Sequence, residues 1–270
     1  MKGILTKLDG RTGVPIDYYV QWFEGGEPTC NITKTLGQTH TISFTGKKIC
    51  LHCRKQQKKL FQGYCYPCFI SVPQTAECVI RPEKCQAHLG QGRDAQWEAT
   101  YHNQPHIVYL AQTGNLKVGV TSQHNIPTRW IDQGACQSIV IARTPNRWVA
   151  GQIEVALKKV VSDRTSWQKM LKNTFEPVDL NEQKDIITQE IPSQFKSYID
   201  HKSTALEWFY PVDRYPEKVK SIHLDRSPII TAILEGIKGQ YLIFNDDTVL
   251  NIRKHEGCEV IWTISSMDTI

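Results

Sequence analysis

The chain has 270 residues, a hydrophobic share of 40%, a charged share of 22% and a net charge of +5. It can bury a real core as one large domain or two or three small ones, and its composition excludes a disordered or low-complexity protein. No apolar run approaches the ~20 residues that cross a bilayer, and MKGILTKLDGRTG lacks a signal-peptide core, so a membrane partner is not expected. The expected compartment is the cytoplasm, where nine cysteines stay reduced and suit metal binding better than disulfides.

Residues 1–48 read as a β-rich module. Tyr18 to Phe23 alternates loosely, and His40 to Gly46 predicts a strand ending in a turn. Gly25-Gly26 and Glu27-Pro28 are loop signals. Cys30 suits a small buried residue or a free thiol.

Residues 49–102 carry the strongest chemical signal. CLHC (Cys50, Cys53) and CYPC (Cys65, Cys68) are two Cys-x-x-Cys knuckles. Each turns two sulfurs to one side of a tight loop, so four thiolates can converge on one structural Zn²⁺ with no position left for water. A redox pair is the alternative, without the strand-to-helix setting that such pairs use. Around the knuckles stand Lys47, Lys48, Arg54, Lys55, Lys58 and Lys59, with no Asp or Glu between Gly46 and Phe69. Phe61, Tyr64, Tyr66 and Phe69 are interleaved or adjoin. Cations for phosphates and aromatics for stacking make a nucleic-acid surface; the other reading is a solvated basic face with the aromatics packed under the loop. Downstream, Cys78, Cys85 and His88, with His102 as a fourth ligand, resemble half of a second metal site. Without a metal, the two cysteines are simply buried.

Residues 103–205 predict an α/β core. Ile107 to Leu110 and Leu116 to Val120 are strands joined at Gln112-Thr113-Gly114-Asn115. Pro127 suits the first turn of a helix through Arg129-Trp130-Ile131 that Gly134 ends. Ile139-Val140-Ile141 reads as a buried strand, and Thr144-Pro145-Asn146 opens a helix with Val149, Ile153, Ala156, Leu157 and Val160 in one stripe. Glu154 borders that stripe. It needs a partner, a metal or a cavity, or it edges the stripe and reaches solvent or Lys158. Trp130, Trp148 and Trp167 suit packing, with stacking beside Arg129 a lesser role for Trp130. Asp163 or Thr165 caps a helix through Leu171, and Asn181–Glu190 and Gln194–His201 continue helically around Pro192.

Residues 206–270 return to β structure. Val219–Leu224, Ile229–Ile237, Gln240–Asn245, Thr248–Arg253 and Val260–Ile264 predict a small antiparallel barrel, to which Lys238, Arg253, Lys254 and His255 lend positive charge.

The central triplets resemble the GIY-YIG nuclease superfamily. Ile107-Val108-Tyr109 matches its first triplet and Lys117-Val118-Gly119 its second, with Thr121 where a Thr or Ser often follows. The resemblance implies Arg129 as the catalytic arginine, Glu154 as the metal-binding glutamate and His124 at the variable His or Tyr position. Lys117 stands where a Tyr is commonest, and no Asn follows the Glu-bearing helix until Asn173, with Ser166 near that place. Over nearly its whole length the chain is also similar to a domain-of-unknown-function family, through CLHC with CYPC, KVGVT, RWIDQGA, DRTSWQKML, GIKGQYLIF and LNIRKHEG. In that family the region downstream of the knuckles carries more cysteines, where this chain has Gly92 and His102.

The expected fold is therefore α+β: a central GIY-YIG-like α/β core, an inserted four-cysteine zinc-binding module and small flanking antiparallel β modules. The expected function is action on DNA or RNA by a divalent-metal-dependent endonuclease that hydrolyses phosphodiesters. The resemblance implies Mg²⁺ or Mn²⁺ on Glu154, charge neutralisation by Arg129 and orientation or deprotonation of water by Tyr109. Lys117 takes the electrostatic part of the absent tyrosine and becomes a base only if its pKa falls strongly. A non-catalytic nucleic-acid or ribonucleoprotein binding protein, and a zinc protein that docks on a protein partner, are the other two readings.

Overall fold

The computed structural model describes residues 1–25, 30–164 and 166–265. The Gly25-Gly26 and Glu27-Pro28 loop signals fall partly, and the Thr165 cap wholly, outside the described residues. The chain divides into two compact units, Met1–Phe69 with Phe209–Ile270, and Ile70–Trp208.

The first unit is built on an eight-stranded sheet with seven strands on its main path. Their order is Lys2–Ile4, Cys258–Ser265, Thr39–Ile49, Ile229–Lys238, Tyr241–Phe244, Thr248–Asn251 and Lys220–Ile222, with Gln56–Gln57 pairing the third. All pairs are antiparallel except Lys220–Ile222 with Thr248–Asn251, which is parallel. Alternation drives it: Ile42, Val260 and Trp262 are fully buried while Ile261 between the last two is exposed. Buried Trp262 places its indole N–H on His40 Nδ1 at 3.0 Å.

Two expectations change here. Gly46 does not end the strand that begins at Thr39; its φ of +84° lies beside a register shift against Cys258–Val260, which marks a bulge through which the strand runs on to Ile49. The strands expected in two separate flanking modules, 1–48 and 206–270, pair with one another. Among the described residues they make one open sheet whose end strands Lys2–Ile4 and Lys220–Ile222 do not pair with each other, and not a separate barrel. The physical reason is that Thr39–Ile49 has two free edges and apolar residues to cover, and the complementary strands lie 180 residues or more away.

The second unit has an antiparallel sheet in the order Asn115–Ser122, His106–Thr113, Gln137–Thr144, Leu206–Glu207. His106–Thr113 is buried at every position because both of its faces are covered. On one face Val108, Leu110, Val118 and Val120 pack with Val149, Ile153 and Leu157 of the helix Arg147–Leu157. On the other, Ile107, Tyr109 and Ala111 pack with Trp130 of the helix Thr128–Asp132. Asn146 starts the longer helix, its Oδ1 accepting from Val149 N at 3.0 Å. The stripe stops short of expectation, since the helix ends at Leu157 and Val160 is 53% exposed. Asp163 does not cap the next helix. Trp167–Leu171 begins after Ser166, and the Asp163 carboxylate pairs with Lys158 at 3.2 Å. Among the described residues, no helix is long and apolar enough to cross a membrane.

Candidate functional site

The knuckles behave as their spacing requires. The four sulfurs of Cys50, Cys53, Cys65 and Cys68 lie within 4.8 Å of one another, with Cys53 and Cys65 3.8 Å apart. The Cys65 backbone N–H donates to Cys50 Sγ at 3.2 Å, as a knuckle that stabilises a thiolate does. Burial opposes the Cys50 thiolate, but backbone N–H groups of Cys65, Cys53 and His52 outweigh it and bring Cys50 down to about 6. Burial and the neighbouring thiols push Cys68 up to about 12. Four thiolates cannot charge together without a cation, so the donor set fits a metal such as zinc.

The surrounding cations divide. Lys47 pairs with Glu259 at 3.8 Å, Lys48 with Asp225 at 2.6 Å and Arg54 with Glu24 at 2.5 Å. Lys55, Lys58 and Lys59 are exposed and have no ion pair among the described residues. Lys59 lies 4.8 Å from the Phe61 ring centre, and Tyr66, 60% exposed, meets the same ring edge-on.

A second cluster forms in the other unit from Cys78, Cys85, Glu98 and His102, all buried and within 4.8 Å. His88, expected as a ligand, is not part of it; its ring stacks on Trp148 at 5.0 Å. Glu98 takes the fourth position, which the sequence reading missed. The available signal was the spacing of Glu98 and His102, one helical turn apart on Ala95–Tyr101 and its C-cap.

Of the residues expected to be catalytic, Tyr109 and Gly119 are direct cross-strand partners, so Lys117, Gly119 and Thr121 share the Tyr109 face. A Cβ at Gly119 would lie 2.6 Å from the Tyr109 hydroxyl, so only glycine admits the ring there. That hydroxyl accepts from Gln133 Nε2 at 2.6 Å. Attraction to the Tyr109 oxygen, with a shared hydrogen bond, raises the Arg129 pKa against the pull of burial, while Arg129 Nε is buried without a partner. Lys117 is 7% exposed; burial, helped by Arg129, pushes it down to about 8.

Glu154 is placed differently. Its helix covers the opposite face of the sheet from the Tyr109 ring. Its Oε2 is 3.2 Å from Lys158 Nζ, the bland alternative of the two its sequence position offered. Burial raises the Glu154 pKa despite Lys158. For Lys158, burial lowers the pKa but the Glu154 and Asp163 carboxylates raise it further. Burial of the Glu154 carboxylate outweighs the pairing because Lys158 reaches water. Glu154 belongs to neither cluster of metal-ligating side chains among the described residues, and the lysine it pairs with, Lys158, is shared with Asp163. As arranged, these residues do not fit Mg²⁺ or Mn²⁺. His124 is exposed, held by Gln104 Oε1 at 3.2 Å and Ser122 Oγ at 3.4 Å.

Beside Arg129 opens a cavity of about 220 Å³, whose lining includes Arg129, Arg147, His106, Thr121, Ser122 and Asn125 and contains no Asp or Glu. Tyr109, Lys117 and Glu154 do not line it.

Fold and site together define a mixed α+β protein with a four-cysteine cluster able to hold a metal such as zinc. The chain belongs to the family described as "Protein of unknown function (DUF2797)", which matches residues 37–260. No curated protein and no solved structure matches it significantly.

Proposed function

We propose that this protein binds nucleic acid and seats a backbone phosphate in the cavity beside Arg129. The observation that supports this reading is the lining itself: two arginines, hydroxyl and amide donors from Thr121, Ser122 and Asn125, and no acid. Arg129 carries a buried, unpartnered Nε, a donor costly to leave unmade and suited to a phosphate oxygen. Lys117 adds positive charge nearby, on the same face of the strand Asn115–Ser122 as Thr121. In the other unit, Lys55, Lys58 and Lys59 with Tyr66 offer a second contact to the chain of phosphates and bases.

The test is binding of structured DNA and RNA across a salt series. Arg129→Ala is expected to weaken binding about tenfold or more, a loss of roughly 1.4 kcal/mol or above. Lys58→Ala is expected to weaken it slightly and flatten the salt slope. Equal affinity of Arg129→Ala and the unaltered protein would remove the reading.

Hydrolysis of the bound phosphodiester in the GIY-YIG manner is a second reading, favoured by one observation. The Tyr109–Gly119 pairing sits beside Arg129 and a lysine whose pKa falls to about 8, within reach of base chemistry at neutral pH. Cutting that vanishes in Tyr109→Phe and in Lys117→Ala, with binding retained, supports hydrolysis. Binding without cutting leaves the binding protein.

A further inference from the structure

We infer that Cys78, Cys85, Glu98 and His102 form a second, closed metal centre for a borderline divalent transition metal of the zinc type. His102 and Arg147 also line the cavity beside Arg129, but the metal content measured below does not depend on what that cavity holds.

The four donors come from three separate pieces of chain. Cys78 lies on the short helix Glu77–Ile80, Cys85 follows the turn Pro82–Lys84, and Glu98 and His102 lie one helical turn apart. His102 Nδ1 stands 3.7 Å from Cys78 Sγ and 3.5 Å from Glu98 Oε2, and Glu98 Oε2 is 4.0 Å from Cys78 Sγ. These are the separations of ligands around a shared centre, the nitrogen–oxygen distance being longer than an ordinary hydrogen bond.

Three further features point to a cation. Glu98, 2% exposed, gives one oxygen to the Arg93 backbone N–H at 2.9 Å, which fixes the carboxylate so that the other faces the thiols and imidazole. Such an outer hydrogen bond is how ligating carboxylates are oriented. Gly92 makes room for this, because a Cβ there would sit 2.3–2.5 Å from the carboxylate atoms. Finally, the Arg147 side chain is buried with its Nε on Cys78 O at 2.9 Å and Nη2 on Val79 O at 2.7 Å, both neutral carbonyls. A buried guanidinium needs negative charge. Two thiolates, one carboxylate and a neutral imidazole around a divalent ion sum to one negative charge, which Arg147 balances.

Two sulfurs, a nitrogen and an oxygen favour zinc over Mg²⁺ or Ca²⁺, which take oxygen donors. With four protein ligands no position remains for water, so the ion holds structure. It ties the loop 78–85 to the helix Ala95–Tyr101, beside a buried cluster of small residues, Ala76, Cys78, Cys85 and Ala87, with Trp148 packed against it.

The test is metal content of the full chain produced in zinc-replete medium. Two equivalents per chain are expected, with Cys78→Ser and Glu98→Ala each retaining one and Cys53→Ser also retaining one. A single equivalent in the unaltered protein, or two in Cys78→Ser, overturns the proposal. Should the variants fail to fold, cobalt substitution of the unaltered protein decides. Two thiolates give about half the sulfur-to-cobalt charge-transfer intensity of four, so the second equivalent should add about half as much as the first. Saturation of the spectrum at one equivalent overturns it equally.

Discussion

The two cysteine clusters reach similar compactness by opposite routes. In the first unit, two four-residue knuckles each supply two ligands, and the Cys65 N–H on Cys50 Sγ ties the second knuckle to the first. In the second, four ligands arrive from a helix, a turn and another helix, and loop backbone at Arg93 and carbonyls at Cys78 and Val79 hold them. The first is local chemistry that a short peptide could perform; the second exists only when its unit is folded. Metal binding should therefore drive folding in the first and follow it in the second.

The largest test of that contrast is removal of a knuckle ligand. Structural zinc contributes about 10–16 kcal/mol in small zinc modules, comparable with the roughly 5–15 kcal/mol that stabilises a whole domain. Cys53→Ser should therefore abolish protection of Met1–Phe69 in limited proteolysis while Ile70–Trp208 stays protected. Equal loss in both would break the comparison.

Next is Gly151→Ala. A Cβ there would meet the backbone of Pro82 and Glu83 at 2.2–2.4 Å, which is where the helix Arg147–Leu157 presses on the cysteine loop. Backbone cannot step aside as a flexible side chain can, so we expect a loss of about 3 kcal/mol or more, read as a lower thermal midpoint. Zinc should be lost from the second centre and kept by the first.

Acid should act on both units with similar size. Burial pushes His106 and His255 down to about 4, from an ordinary value near 6.5. Each folded pKa is depressed, so the stabilisation is present above about pH 6.5 and is lost as pH falls to about 4. The loss is at most about 3 kcal/mol per histidine. Denaturant unfolding at pH 7 and pH 4.5 measures it, and His255→Asn should flatten the response of the first unit alone.

The smallest effect belongs to the cap. Asn146→Ala removes the acceptor for Val149 N and should cost about 1 kcal/mol in the second unit, leaving metal content unchanged.

The same contrast explains what could be read in advance. The strands through 107–110 and 116–120, which the structure lengthens to 106–113 and 115–122 around Gly114, the helix that Gly134 ends and the Asn146 start are visible because each rests on neighbours in sequence. Glu98 was missed, and His88 taken in its place, because adjacency in sequence favours the nearer residue while a turn from Arg93 to Asp94 aims the farther one. Glu154 was legible as an acid beside a core stripe; its partner, Lys158, was one of two outcomes that spacing alone left open.

By itself the sequence determined the four-cysteine knuckles, the triplet-bearing hairpin and the alternation of the terminal strands, since each depends on contacts within a few residues. Tertiary structure alone decided that residues from both ends share one sheet and that Glu154 lies across the sheet from Tyr109. It alone decided, too, that a carboxylate completes the second cluster. Those outcomes depend on which distant surfaces bury each other, a choice made by the summed packing of the whole unit.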